Sequence, residues 1–181
     1  RPMILSTGMA TLEEVRDAVG ILEQCWTGDS SLKDSLTILH CTSNYPTDPK
    51  HVNLRAMGTL AYETGYAIGY SDHTEGIAIC PAAVVAGAVV LEKHFTLDRT
   101  MEGPDHKASL EPDELVAMIQ QVRVVEQALG SNKKAPTETE KEMRILARRS
   151  ITAARDLSPG DVLTADDMLL IRPATGILPK H

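Results

Sequence analysis

Two histidines stand at the polar ends of two apolar runs. Ala67-Ile-Gly-Tyr-Ser-Asp-His-Thr74 delivers His73, and Val89-Val-Leu-Glu-Lys-His-Phe-Thr96 delivers His94. Short apolar runs separated by a helical segment read as parallel strands of a βαβ unit. Neighbouring strands lie roughly 4.8 Å apart, so imidazoles on one face of such a pair can share a metal ion. Side chains alternate faces along a strand, which makes parity the test. Ser71 and His73 share a face of one strand, and Glu92 and His94 share a face of the next.

The same form recurs upstream. Arg1 to Gly8 and Thr37 to Pro46 are also apolar runs that turn polar, with Ser6 ending one and Cys41, Ser43 and Tyr45 alternating along the other. One face of four strands is therefore expected to carry Ser6, Ser43, Tyr45, Ser71, His73, Glu92 and His94. A polar face gathered at the C-terminal ends of parallel strands is where α/β folds hold their active sites. His40 has the wrong parity for that face. With His51, His106 and His181 it is expected to be structural or solvated. Cys41 is expected in the core, and Lys93 points outward.

These residues need elements to position them. Met3 to Thr7 reads as a first strand, and Thr11 with Glu14 makes a capping box for a helix over Leu12 to Cys25. A polar loop over 27–36 leads to a strand over 37–43. A helix over Asn53 to Glu63 turns Leu54, Met57 and either Leu60 or Ala61 inward, and a third strand covers 66–71. Pro81 is tolerated only at the start of a helix, so the next helix is placed at Pro81 to Ala86. A fourth strand covers 88–95. The connection over 96–110 is long and carries Asp98, Arg99, Asp105 and His106; such loops are functional or disordered. Glu111-Pro-Asp-Glu114 then opens a helix that Gly130 stops.

Four strand–helix units point to half of a (β/α)8 barrel. A doubly wound sheet competes, although no GxGxxG follows a strand. The half-barrel is placed at 1–130 and a polar linker at 131–147. A small β-rich domain follows from 148 to 181, with strands near 149–154 and 168–172 and a helical turn capped by Thr164.

Composition narrows the function. The chain has 181 residues and a formal net charge of −7, which argues against nucleic acid as a partner. No run approaches the roughly 18 apolar residues of a membrane span, and no signal peptide is visible. Three cysteines without CxxC spacing suit a reduced, cytoplasmic protein. The ends look cut, since the first residues already belong to a strand and the last stop without a terminating feature.

Longer motifs carry a resemblance. LSTGMAT (Leu5 to Thr11), HCTSNYP (His40 to Pro46), VNLRAM (Val52 to Met57), GYSDHTEGI (Gly69 to Ile77), the block from Leu91 to Leu115, and RPATGI (Arg172 to Ile177) resemble the sialic acid synthases. The likeness covers nearly the whole chain. It implies the C-terminal half of a TIM barrel followed by the start of an antifreeze-like SAF domain. It also implies condensation of phosphoenolpyruvate with an N-acyl hexosamine, N-acetylmannosamine or a relative, to give a nonulosonic acid and phosphate.

By the resemblance His73 and His94 are ligands of a divalent metal, Mn2+ or Mg2+. Ser6, Ser43 and Ser71 contact phosphoenolpyruvate, although some members carry Asn where Ser43 stands. Tyr45 and Asp105 meet the sugar, with Ser71 and Asp105 nearest the chemistry. Arg172 reaches the partner subunit's site in a domain-swapped homodimer. Glu92 receives no catalytic role. In the implied reaction the enol carbon attacks the metal-polarised aldehyde, water adds and phosphate leaves. The groups that hold the phosphate are expected on barrel strands outside these residues, so the 181 residues alone are expected to be inactive. Two other readings stand beside this one: a metal-dependent aldolase or lyase on the same barrel, and a non-catalytic sugar-binding module.

Overall fold

The structure is a computed structural model, and residues 2–180 are described. Arg1 and His181 lie outside them. The chain divides into two compact units, Arg1–Gly130 and Ser131–His181. No helix of the described residues is long and apolar enough to cross a membrane.

In the first unit β1 (Met3–Ser6), α1 (Leu12–Cys25), α2 (Leu32–Ser35), β2 (Leu36–Cys41), α3 (Ala56–Thr64), β3 (Ala67–Asp72), α4 (Ile79–Val85), β4 (Leu91–Lys93) and α5 (Pro112–Leu129) follow in order. The strands form one parallel sheet in the order β1-β2-β3-β4. Each strand lies beside its sequence neighbours and the order never reverses. A doubly wound sheet reverses once, so these are four consecutive units of a (β/α)8 barrel.

Alternation gives the sheet two unlike faces. Leu36, Ile38, Ile68 and Tyr70 point to the helices and are buried with Val15 and Val19 of α1 and Met57 and Leu60 of α3. Met3, Leu5 and Leu91 pack against the same cluster. The register pairs Ser6 with Leu39, Leu39 with Gly69, and Ser71 with Glu92, so those residues share the opposite face, the lumen side. Ile4 on that face is half-exposed.

Local chemistry sets most boundaries. The Thr11 hydroxyl accepts the Glu14 amide at 3.3 Å, and the Glu14 carboxylate accepts the Thr11 amide at 2.7 Å, as the capping box required. Several expectations shift. Within the expected polar loop over 27–36, Ser31 caps the short α2 by accepting the Asp34 amide at 3.2 Å. α3 starts at Ala56 because Asn53 adopts a left-handed conformation (φ 51°), which asparagine tolerates but a helix does not. Its inward residue is Leu60; Ala61 is exposed. α4 starts at Ile79, two residues before Pro81. The ring then falls in the first turn, whose amides lack intrahelical partners anyway, and Cys80 becomes a fully buried helical residue. β4 is shorter than expected, but Val89 already donates to the Ile68 carbonyl at 2.9 Å and Phe95 bridges to Leu110.

The loop over 96–110 is tied down by its own polar groups. Thr96 Oγ1 meets His106 Nδ1 at 2.7 Å, which makes His106 structural. The Arg99 amide donates to Glu111 at 2.9 Å, its Nε donates to the Ser109 carbonyl at 3.0 Å, and its guanidinium pairs with Glu114. Thr100 gives its amide and hydroxyl to Asp98.

The second unit holds α6 (Glu140–Ala147), inside the segment expected as a linker, and an antiparallel pair, β5 (Ser150–Ala153) with β6 (Met168–Ile171). Ser150 is fully buried; its hydroxyl donates to the Pro173 carbonyl at 2.7 Å and accepts the Gly176 amide at 3.0 Å. Arg155 bridges Asp161 and Asp167. Thr164 caps a turn over Ala165–Asp167, and the Ala174 amide donates to Ile145 of α6 at 2.8 Å.

Two predictions follow from the first unit's packing. A Cβ on Gly69 would lie 2.6 Å from the Val90 carbonyl oxygen and collide with Leu39. Gly69→Ala is therefore expected to lower the unfolding free energy by about 1–3 kcal/mol, measured by chemical denaturation; an unchanged midpoint would contradict this packing. The Arg99 guanidinium, with the Glu111 amide, holds the Glu114 carboxyl below the usual glutamate range. Its contribution is thus fully present above the ordinary glutamate pKa and is lost as pH falls through the depressed value. Glu114→Gln should flatten the acid limb of the melting temperature against pH and leave its neutral slope unchanged.

Candidate active site at the strand ends

β3 ends at Asp72 and β4 at Lys93, and the ladder between them stops at that pair. The next residue on each strand is a histidine. Their rings lie 5.5 Å apart between centroids, edge to face at 87°. Parity thus holds, and both imidazoles stand at the lumen rim.

His73 is buried at 8% exposure. Its Nδ1 lies 2.7 Å from the Thr42 carbonyl oxygen, which can only accept, so Nδ1 carries the proton and the Nε2 lone pair faces away. Ser71 Oγ is 3.3 Å from Nε2, but its single hydrogen goes to Glu92 Oε1 at 2.6 Å. Two lone pairs facing each other make no hydrogen bond, and Nε2 is left without a donor. The His94 ring makes no hydrogen bond among the described residues; its carbonyl accepts the Leu110 amide at 2.9 Å. Tyr45 closes the group, its ring 4.2 Å from His73 and 5.5 Å from His94 between centroids.

This arrangement fits a divalent cation. Nε2 of His73 is a neutral imidazole lone pair whose tautomer a backbone carbonyl fixes, the usual support of a metal-binding histidine. Among the described residues no group of three or more His, Cys, Asp or Glu converges on one point, so the protein would contribute the two imidazoles.

Of the expected site residues, the structure brings Tyr45, Ser71, His73 and His94 together. Ser43 is half-buried nearby in the chain, and its Oγ fills the space where a Cβ on Gly8 would sit; Cys41 Sγ is 3.1 Å from the same point. The β1–α1 turn can approach β2 this closely because Gly8 has no side chain. Cys41 is buried, as expected, on the lumen side of the sheet that its alternation with Ser43 implies, and burial pushes its thiol pKa up. Ser6 is exposed on the lumen face and makes no hydrogen bond to the cluster. Asp105 is exposed, and its backbone carbonyl accepts the Ser109 hydroxyl at 2.7 Å. Arg172 is exposed in the second unit.

Two features escaped the sequence reading. Glu92 is a working partner of Ser71. On the far side of the sheet, Asp72 and Lys93 form a buried ion pair at 2.9 Å, with side-chain exposures of 0% and 4%. The Asp72 carboxylate also accepts the Thr74 amide at 2.9 Å, the Thr74 hydroxyl at 2.8 Å and the Cys80 thiol at 3.3 Å. Opposite charges directly paired on the helix-facing side were the signal, but the pairing is visible only once the register is known. His40 faces the helices, with Nε2 2.8 Å from the Val52 carbonyl oxygen, in keeping with its parity.

Comparison with known proteins agrees with this architecture. A model of the NeuB family matches residues 1–134, and one of the SAF domain matches 148–181. N,N'-diacetyllegionaminic acid synthase of Legionella pneumophila is 49% identical over 99% of this chain and 50% of its own. Human N-acetylneuraminate-9-phosphate synthase is 40% identical over 95% and 46%. The crystal structure of N-acetylneuraminic acid synthetase from Leptospira borgpetersenii serovar Hardjo-bovis in complex with citrate superposes with a TM-score of 0.69 at 38% identity, over 78% of this chain and 47% of that one. The chain thus spans about half the length of the relatives it matches. With four barrel units, a rim of two imidazoles and a SAF match in one sequence, the chain belongs to the NeuB family.

Proposed function

We propose that this chain contributes to a synthase that joins phosphoenolpyruvate to an N-acyl hexosamine, giving a nonulosonic acid and phosphate. The observation that carries the reading is the imidazole pair, with Nε2 of His73 left without a donor at the open rim of the sheet. His73 and His94 would hold Mn2+ or Mg2+, and such an ion supplies Lewis-acid polarisation of a substrate carbonyl.

The chain's own groups would do the positioning. Ser6, Ser43 and Ser71 offer hydroxyls to phosphoenolpyruvate. The Ser71 hydrogen is held by Glu92, so Ser71 must exchange that partner to donate to an anion. Tyr45 shields one side of the imidazoles. Asp105, on the ordered loop, is assigned to the sugar hydroxyls. Arg172 is assigned to the acyl-amino group, reached from the partner subunit of a domain-swapped homodimer. Three free thiols suit the cytoplasm. Identity to the L. pneumophila protein favours a diacetamido-trideoxy hexose over N-acetylmannosamine as acceptor.

A Schiff-base aldolase is opposed by Lys93, whose ammonium is committed to Asp72 on the wrong side of the sheet. The lumen positions of the four described strands carry no lysine or arginine to hold a phosphate, so the 181 residues alone are expected to show no turnover.

The full natural chain should release phosphate from phosphoenolpyruvate only when Mn2+ and an N-acyl hexosamine are both present. Removing a ligand, as in His73→Ala or His94→Ala, should lower kcat/KM by on the order of 10²-fold or more. Phosphate release that ignores the amino sugar, or histidine variants with full activity, would refute the reading.

A further inference from the structure

The ladder between β3 and β4 ends one residue short of both imidazoles. Something beyond the ladder must therefore fix the step from Asp72 to His73 and from Lys93 to His94. His73 is tied on its β2 side, where its carbonyl accepts the Thr47 amide at 2.8 Å and its Nδ1 meets Thr42. Toward β4, Ser71 bonds Glu92 on the lumen side and the His94 carbonyl accepts the Leu110 amide, while on the helix-facing side the link is one ammonium. Lys93 Nζ donates to the Asp72 carboxylate at 2.9 Å and to the Thr74 carbonyl. Those two acceptors flank His73 in the chain, and Lys93 itself immediately precedes His94.

We propose that the Asp72–Lys93 pair is a positioning device: a buried clamp, on the opposite face of the sheet, that sets the separation of His73 and His94. The inference rests on the reading of those histidines as metal ligands. Asp72 and Lys93 touch neither substrate nor ion and are not catalytic residues. Their side chains point toward α4, whose Cys80 completes the carboxylate's shell together with Thr74 and the Tyr70 hydroxyl. Burial suits the role. Outside water the pair cannot exchange partners with solvent, so the strand ends stay fixed while the lumen side remains open to ligands. A longer or uncharged link leaves the sheet intact through Tyr70–Leu91 and Ser71–Glu92, which are paired in the ladder, but loosens the step from Asp72 to His73 and from Lys93 to His94.

The test uses Mn2+ binding by the full natural chain, read from loss of the free-ion EPR signal, with no substrate present. Wild type should bind, and His73→Ala/His94→Ala should not. Asp72→Asn/Lys93→Met removes both buried charges together. Without metal it is expected to melt within a few degrees of wild type, yet to bind Mn2+ about 10–100-fold more weakly, the range seen when support behind a metal ligand is lost. Asp72→Glu keeps both charges and shifts the clamp by one methylene. It should also weaken binding, and it decides the matter if the double variant does not fold. If wild type binds, the histidine variant does not, and either folded clamp variant binds within twofold of wild type, the clamp is refuted while the ligand assignment stands. If wild type itself fails to bind, or the histidine variant binds equally, the ligand assignment falls and takes the clamp with it.

Discussion

A carboxylate and an ammonium lie almost entirely out of water beneath the rim of the sheet, and the geometry above them depends on their being paired. Taking either charge out of water costs several kcal/mol, and removing one partner from such a pair costs roughly 3–5 kcal/mol, because the other is left uncompensated. Asp72 survives burial because both oxygens are satisfied: Lys93 and Cys80 on one, the Thr74 amide and hydroxyl and the Tyr70 hydroxyl on the other. The effect spreads to its neighbours. Burial and the adjacent carboxylate push the Cys80 thiol up to about 12 and raise the Tyr70 phenol as well. Both stay protonated at neutral pH, and Cys80 serves the carboxylate as a donor rather than acting as a nucleophile.

The sheet keeps its two chemistries apart by alternation. The helix-facing side is apolar at Leu36, Ile38 and Ile68 and closes over the single ion pair at its C-terminal end. The other side carries hydroxyls, Glu92 and two imidazoles. Two glycines make the crowding tolerable. Gly69 lets the Val90 carbonyl approach the lumen side of β3, and Gly8 lets the first turn settle on Ser43. Neither is used for a left-handed turn; each is small because a neighbour occupies the place of its Cβ.

The second unit is organised differently. Two short antiparallel strands give little stability by themselves. Within the unit polar groups add to them: Ser150 ties β5 to the segment after β6, and Arg155 holds the connection between the strands through two aspartates. All four residues of β6 remain 44–49% exposed within the described residues. The match to the SAF domain over this stretch fits the short strands and the capped turn at Thr164.

Periodicity and capping are local, and they are what the sequence by itself determined. Alternation put Ser71, His73, Glu92 and His94 on one side and His40 and Lys93 on the other, because side-chain direction along a strand depends only on odd and even spacing. Thr11 with Glu14 and Glu111-Pro112 marked helix starts, since an N-terminal turn is satisfied by residues within three positions. Local rules reached less far at Asn53, whose left-handed backbone delays α3, and at Ser31, whose hydroxyl nucleates a short helix in a loop. The tertiary structure alone decided who faces whom. Asp72 and Lys93 are 21 residues apart, as are Ser71 and Glu92, and nothing in either run specifies the register that sets them opposite. That register is fixed by packing the intervening helix onto the sheet. Only then does a hydroxyl hydrogen go to Glu92, leaving one imidazole nitrogen free at the rim.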